Sequence, residues 1–262
     1  MLRAFADFAA FVACSAALIA APASAQNVCR TVTTITTHAD GSVETVVEEW
    51  AEHSPAMAQR LLPPASAESA RLAFVQYGPF RVLDAQTIAL IGATDSRSPA
   101  QFAALLADFP DIAMLEFIEA PGTQDDRANL QLARAIRAHG LATRVAAGGS
   151  VRSGAVELFL AGVTREIADG SEFAVHAWLD DWGRGAEDYP SGAAEHRRYL
   201  DFYVEMGMND QQAAQFYAMT NSVPFEQARW LSGVEMRKWM RAGGEKPDRE
   251  DLAYLDSSVL LP

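Results

Sequence analysis

"GGSVRSGAVELFLAG", residues 148–162, packs small residues ahead of Ser153 and sets a helix-like apolar run behind it. Two readings compete for that serine. It caps a buried helix, a role in which serine is among the commonest residues, or it is a nucleophile at a strand-to-helix turn. The flanking sequence decides what kind of fold holds it. Upstream, "LATRVAAGG" (141–149) has strand character. "PGTQDDRANLQLARAIRAHG" (121–140) reads as a turn and a helix, with Leu130, Ala133 and Ile136 on one face and Gly140 at its end. "IAMLEFIEA" (112–120) and "TIALIGA" (87–93) are apolar runs of strand length. Between them, "SPAQFAALLADFPD" predicts a helix capped by Ser98, with Pro99 in its first turn and Gln101 completing a capping box. Strands alternating with helices predict an α/β fold with right-handed crossovers.

Downstream, "REIADGSEFAVHAW" reads as two short strands folded as a hairpin about Asp169-Gly170, and the last third as helical. Tyr199, Phe202, Tyr203 and Met206 recur at helical spacing as one apolar stripe. That stripe, with Trp178, Trp182, Trp230 and Trp239, suits either core or an interface between copies. "SGVE" (232–235) is a second capping box. "DDWGRGAED" (180–188) is an acidic, glycine-containing loop placed to gate a site or meet a partner.

The chain begins with Arg3, an apolar run and Ala23-Ser24-Ala25, the pattern of a cleavable secretory leader over residues 1–25. A periplasmic or secreted location is expected, with no stable membrane span after cleavage. Residues 26–70 read as an appendage: a β-hairpin over 31–50 turning at "ADGS", then a Pro/Ala linker over 61–70. Its His38 and His53 read as exposed polar residues. Residues 71–262 form the main domain. Cys29 alone remains after cleavage, so stability must come from the core without an internal disulfide. A net charge of −13 with no basic run argues against nucleic acid as a partner.

Ser153 needs a base within hydrogen-bond reach and donors for an oxyanion. "APGT" (120–123) ends the preceding strand at the same sheet edge as "RSG", so the amides of the two turns can converge. His176 lies in the strand-like "EFAVHAW" and is the base candidate.

These three blocks, "APGT", "GGSVRSGAVELFLAG" and "FAVHAW", resemble the active-site blocks of the Clp protease proteolytic subunit, within the Clp-protease/crotonase superfamily. The helix after Ser153 runs to Ala161-Gly162 as in that family, and His176 follows the serine by 23 residues. The resemblance covers roughly residues 85–240 and is closest to exported relatives of the protease. It implies a spiral of ββα units behind the N-terminal hairpin, a homo-oligomer, and a serine peptidase working through an acyl-enzyme without cofactor or metal. Ser153 would be nucleophile and His176 general base. The Gly154 amide would form half of the oxyanion hole, and Gly122 or Thr123 the other half. Thr123 departs from the family's second glycine, and its Cβ restricts positive φ there. The family's third residue, an Asp, falls where this chain has Glu226; Asn221 is a second candidate. Asp180 and Asp181 read as part of a solvated loop.

Other chemistries fit less well. Lys238 and Lys246 lie too late for a Ser–Lys dyad, and Ser153 lacks the G-x-S-x-G elbow of α/β-hydrolases. No H-E-x-x-H, paired-cysteine or Walker pattern occurs. An acyl-CoA enzyme would want a basic cluster for nucleotide phosphates. The remaining rival is a catalytically inactive binding or assembly module that keeps the fold, motivated by Thr123 and by Gln227-Ala228.

Overall fold

The computed structural model describes residues 29–37, 43–51, 57, 59–62, 75–180 and 182–241. The leader over 1–25, the turn at 39–42, linker residues 63–70, His38, His53, Asp181 and Lys246 lie outside them. Strands β1 (Cys29–Thr37) and β2 (Val43–Ala51) pair antiparallel as a two-stranded sheet, with Cys29 opposite Ala51 and Thr37 opposite Val43. Alternating threonine and valine suits such a ribbon.

Among the described residues the main sheet has eight strands. Two short ones, β3 (Gln76–Tyr77) and β4 (Phe80–Val82), lead antiparallel into β5 (Thr87–Ile91). Helix α1 (Ser98–Asp108) then crosses to β6 (Met114–Ala120), and α2 (Asp126–Ala138) to β7 (Ala142–Arg152). Strands β5, β6 and β7 are parallel neighbours. The short helix α3 (Ala155–Leu160) follows, then β8 (Arg165–Ile167) and β9 (Glu172–Val175). Helices α4 (Ala194–Glu205) and α5 (Asp210–Thr220), strand β10 (Arg229–Ser232) and helix α6 (Gly233–Arg241) complete the fold. The α/β order expected from the sequence is the order observed.

Three local expectations are corrected. Strands β8 and β9 are not a hairpin. Both run parallel to β7, β8 along Thr143–Val145 and β9 along Ser150–Arg152, so the Asp-Gly turn offsets the chain without reversing it. The third strand does not stop at Gly149. The stretch 146–149 bulges opposite Ile118, pairing resumes at Ser150, and β7 runs on to Arg152. Ser98 does not cap α1: its hydroxyl bonds back to Asp95, accepting from that residue's amide at 2.9 Å. The later capping box does form, with Glu235 accepting from the Ser232 amide and hydroxyl at 2.8 Å each.

Strand alternation gives the end of β7 two different faces. Val151, Ala120 and Phe173 turn into the apolar core, where the Phe159 ring meets those of Phe117 and Phe173 at 6.0 and 5.2 Å. Arg152 turns the other way and is still only 2% exposed. Its guanidinium donates to the Met57 carbonyl at 2.6 Å, to Ser150 and to Glu119. Arg60 joins Glu119 and the Gly148 carbonyl, while Glu172 accepts from the Leu61 and Leu62 amides at 3.1 and 2.7 Å. A short N-terminal arm is thus clamped behind the strand that carries the candidate nucleophile.

The aromatic stripe lies inside this domain: Tyr199, Phe202, Tyr203 and Met206 are all buried in the core, as is Trp178, whereas Trp182 is exposed.

Candidate active site

Strands β6, β7 and β9 are parallel neighbours, so their carboxyl ends reach the same edge of the sheet, where open α/β sheets hold ligands. Each of the three sequence blocks crosses that edge: Pro121 follows β6, Ser153 follows β7 and His176 follows β9.

Ser153 has φ +49°, the only positive φ outside glycine among the described residues. Such a left-handed serine costs about 1–2 kcal/mol. Its amide donates to Ala174 on β9 at 2.9 Å, and its carbonyl accepts from Val156 at 2.9 Å, so the turn is held from both sides. Gly154, not Ser153, is the N-cap of α3, and it provides no side-chain cap. The Ser153 hydroxyl instead meets His176 Nε2 at 2.8 Å.

The other imidazole nitrogen settles the tautomer. His176 Nδ1 lies 2.8 Å from the Ala177 carbonyl. A carbonyl only accepts, so Nδ1 carries the hydrogen and Nε2 presents its lone pair to the Ser153 O–H. That is the orientation a general base requires. Phe225 packs edge-on against the imidazole, with ring centroids 4.7 Å apart. Glu226, next in the chain, is exposed, and among the described residues no hydrogen bond joins it to His176. The structure therefore does not bring this expected third residue into line. Asn221 turns its amide nitrogen to the Tyr217 carbonyl. Asp180 is tied up in its own loop. Burial raises its pKa, but hydrogen bonds from Tyr189, Arg184 and Trp182 outweigh that and hold it well below the carboxylate range.

The two small-residue turns meet. A Cβ added at Gly154 would stand 2.5 Å from Thr123 Cγ2 and 3.1 Å from Asn129 Nδ2. Glycine is needed at 154 for this close approach, since its own φ is −56°. Gly122 takes the positive φ of +132° in the first turn, so Thr123 needs none and its Cβ is tolerated. Among the described residues, neither the Thr123 nor the Gly154 amide donates a hydrogen bond, and both residues line the cavity beside Ser153. Gly122 does not line it. Of the two expected candidates for the second oxyanion donor, Thr123 is the one that faces the site.

No family model and no curated protein sequence matches the chain. Solved structures similar to it include a lysine-to-alanine mutant of the 1510-N membrane-bound stomatin-specific protease in complex with a substrate peptide. It has a TM-score of 0.42 and 16% identity over 59% of this chain and 70% of that one. A ClpP1 mutant from Listeria monocytogenes gives 0.40 and 16% over 60% and 88%. A serine-to-alanine mutant of the 1510-N protease gives 0.42 and 14% over 64% and 81%. The likeness is one of fold.

Several residues outside the expected set also shape the site. Asn129, buried on α2, donates to the Gly154 carbonyl at 2.6 Å and accepts from Thr94 at 3.0 Å, fixing one turn to the helix after the other. Glu157 lies four residues beyond Ser153 on α3 and is only 8% exposed. Burial pushes its carboxyl up to about 7; the Tyr203 hydrogen bond, at 2.8 Å, pulls down, and the nearby Asp126 pushes up. Asp126 in turn accepts from Tyr199 at 2.7 Å. The cavity, of about 950 Å3, is walled by Trp178, Tyr199 and Tyr217, whose rings lie successively 5.9 and 6.2 Å apart.

Proposed function

We propose that the protein is an exported serine hydrolase that cleaves peptides through an acyl-enzyme on Ser153. The observation that carries this is the 2.8 Å contact between Ser153 Oγ and a His176 Nε2 whose partner nitrogen is occupied by a carbonyl. Ser153 Oγ attacks the substrate carbonyl carbon as its proton passes to Nε2. The Gly154 and Thr123 amides receive the oxyanion, a contribution of about 3 kcal/mol per donor. The C–N bond then breaks, and His176 returns the proton to the leaving amine. Water, deprotonated by the same nitrogen, attacks the acyl carbon, and Ser153 leaves with the proton. A cavity of about 950 Å3 with an aromatic wall has room for a peptide segment. Export rests on the leader-like N-terminus, and homo-oligomeric assembly on the sequence resemblance.

A fluorophosphonate probe tests the activated serine directly. The full chain should label at Ser153. Ser153→Ala should abolish labelling, and His176→Ala should slow it by about 100-fold or more. A folded chain that does not label would replace this reading with that of a binding module.

A further inference from the structure

Helix α3 is apolar except at one position. Ala155, Val156, Leu158, Phe159 and Leu160 are all buried in the core, and Glu157 is buried among them. An unpaired buried carboxylate costs several kcal/mol, and a leucine there would pack without that penalty. The acyl-transfer steps above make no use of Glu157. Among the described residues no cation pairs with it; its carboxyl accepts from the Tyr203 hydroxyl and its own backbone amide, and Asp126, the charged group acting on it, is of like sign. Glu157 nevertheless lines the cavity that Ser153 and His176 open onto, about one helical turn from the nucleophile. The aromatic wall beside it offers π faces that attract cations. The protein's own arginines already show that attraction, with Arg184 over Tyr189 at 4.8 Å and Arg198 over Tyr199 at 5.3 Å.

We propose that Glu157 is the specificity-determining residue of this site, and that the substrate class is a peptide carrying a lysine or arginine at the residue whose carbonyl Ser153 attacks. This rests on the peptidase reading. Arg127, Arg184 and Arg198 line the same cavity, but among the described residues none forms an ion pair with Glu157; the substrate's ammonium or guanidinium group supplies that partner, while Ser153 is one turn away at the scissile carbonyl. Binding a cation needs the ionised carboxylate. With the Glu157 carboxyl at about 7, the preference for cationic over neutral substrates should grow as pH rises through that range. The other charged and titratable groups lining the cavity are Asp125, Asp126 and Arg127 at the start of α2, Glu195, Arg198, Tyr199 and Tyr203 on α4, Tyr217 on α5, Asp180, Arg184 and Tyr189 in the loop before α4, and His176 after β9. His176 serves both kinds of substrate, so its titration cancels in their ratio.

The test compares fluorogenic peptides that differ only in lysine or norleucine before the cleaved bond. At pH 8 the native chain should favour lysine at least tenfold in kcat/KM, with the ratio shrinking at pH 5.5. In Glu157→Gln the ratio should fall by about tenfold. A native ratio near one, or a ratio unchanged in Glu157→Gln, would overturn the proposal; merely structural damage lowers both rates together. Benzamidine binding, read by tryptophan fluorescence on Ser153→Ala with and without Glu157→Gln, separates the pocket from the chemistry. Binding weakened at least tenfold by Glu157→Gln supports the pocket even if Ser153 fails to label, which would defeat the peptidase reading alone. Equal binding, or none, defeats the pocket.

Discussion

At the scale of single residues, the candidate site depends on two backbone accommodations. Ser153 accepts a left-handed conformation, and Gly154 gives up a side chain so that the Thr123 methyl can pack against it. Gly154→Ala should therefore drive the two turns apart, destabilising the chain by about 1–3 kcal/mol in a denaturant titration and suppressing probe labelling. Adding Thr123→Ser removes the nearest clashing atom and should restore part of both. Ser153 and His176 were legible in the sequence because the candidate nucleophile and the candidate base sit in short, ordered blocks. Glu157 and Asn129 were less so. Each is a polar residue in an apolar helical stretch, which is a visible anomaly, but their meaning depends on Tyr203 and Gly154, 46 and 25 residues away. Glu226 was inferred from position alone, and its exposed side chain shows how little position says about where a loop residue points.

At the scale of elements, α3 carries the largest internal conflict, an ionisable group within an apolar helix. A carboxyl whose folded pKa is raised binds its proton more tightly in the native state than in the unfolded one. Stability from this group is present below about 4.5 and is lost as pH rises to about 7, a loss on the order of 3 kcal/mol. Urea titrations at pH 5 and pH 8 should show the native chain weakening across that interval, and Glu157→Gln should flatten the change. The alternation of strands and helices was readable because each crossover helix bears its own apolar face. The end-to-end arrangement of β8 and β9 was not. An Asp-Gly turn suits a hairpin locally, and only the unpaired flank of the long β7 makes two parallel docking sites available.

At the scale of the whole molecule, Met57 and residues 59–62 bind the back of the strands that carry the site. Arg60 is held by Glu119, Gly148 and Glu172, and Arg152 by the Met57 carbonyl. Arg60→Ala leaves the buried Glu172 without its cation and Glu119 with Arg152 alone, and should cost about 3 kcal/mol, lowering Tm by about 6–12 °C in a thermal scan. Nothing in the sequence near Arg60 announces this, because its partners lie 59 to 112 positions further on. The same separation sets an order of events during synthesis. The arm is made early, yet its anchors on β6, β7 and β9 are complete only after residue 172 has been added. The pairing of Ser153 with His176 needs the chain to reach 176. A nascent chain is therefore more than half made before Ser153 is added, carries that serine unassembled for the next 23 residues, and closes the strap behind it, at Glu172, only shortly before His176 arrives.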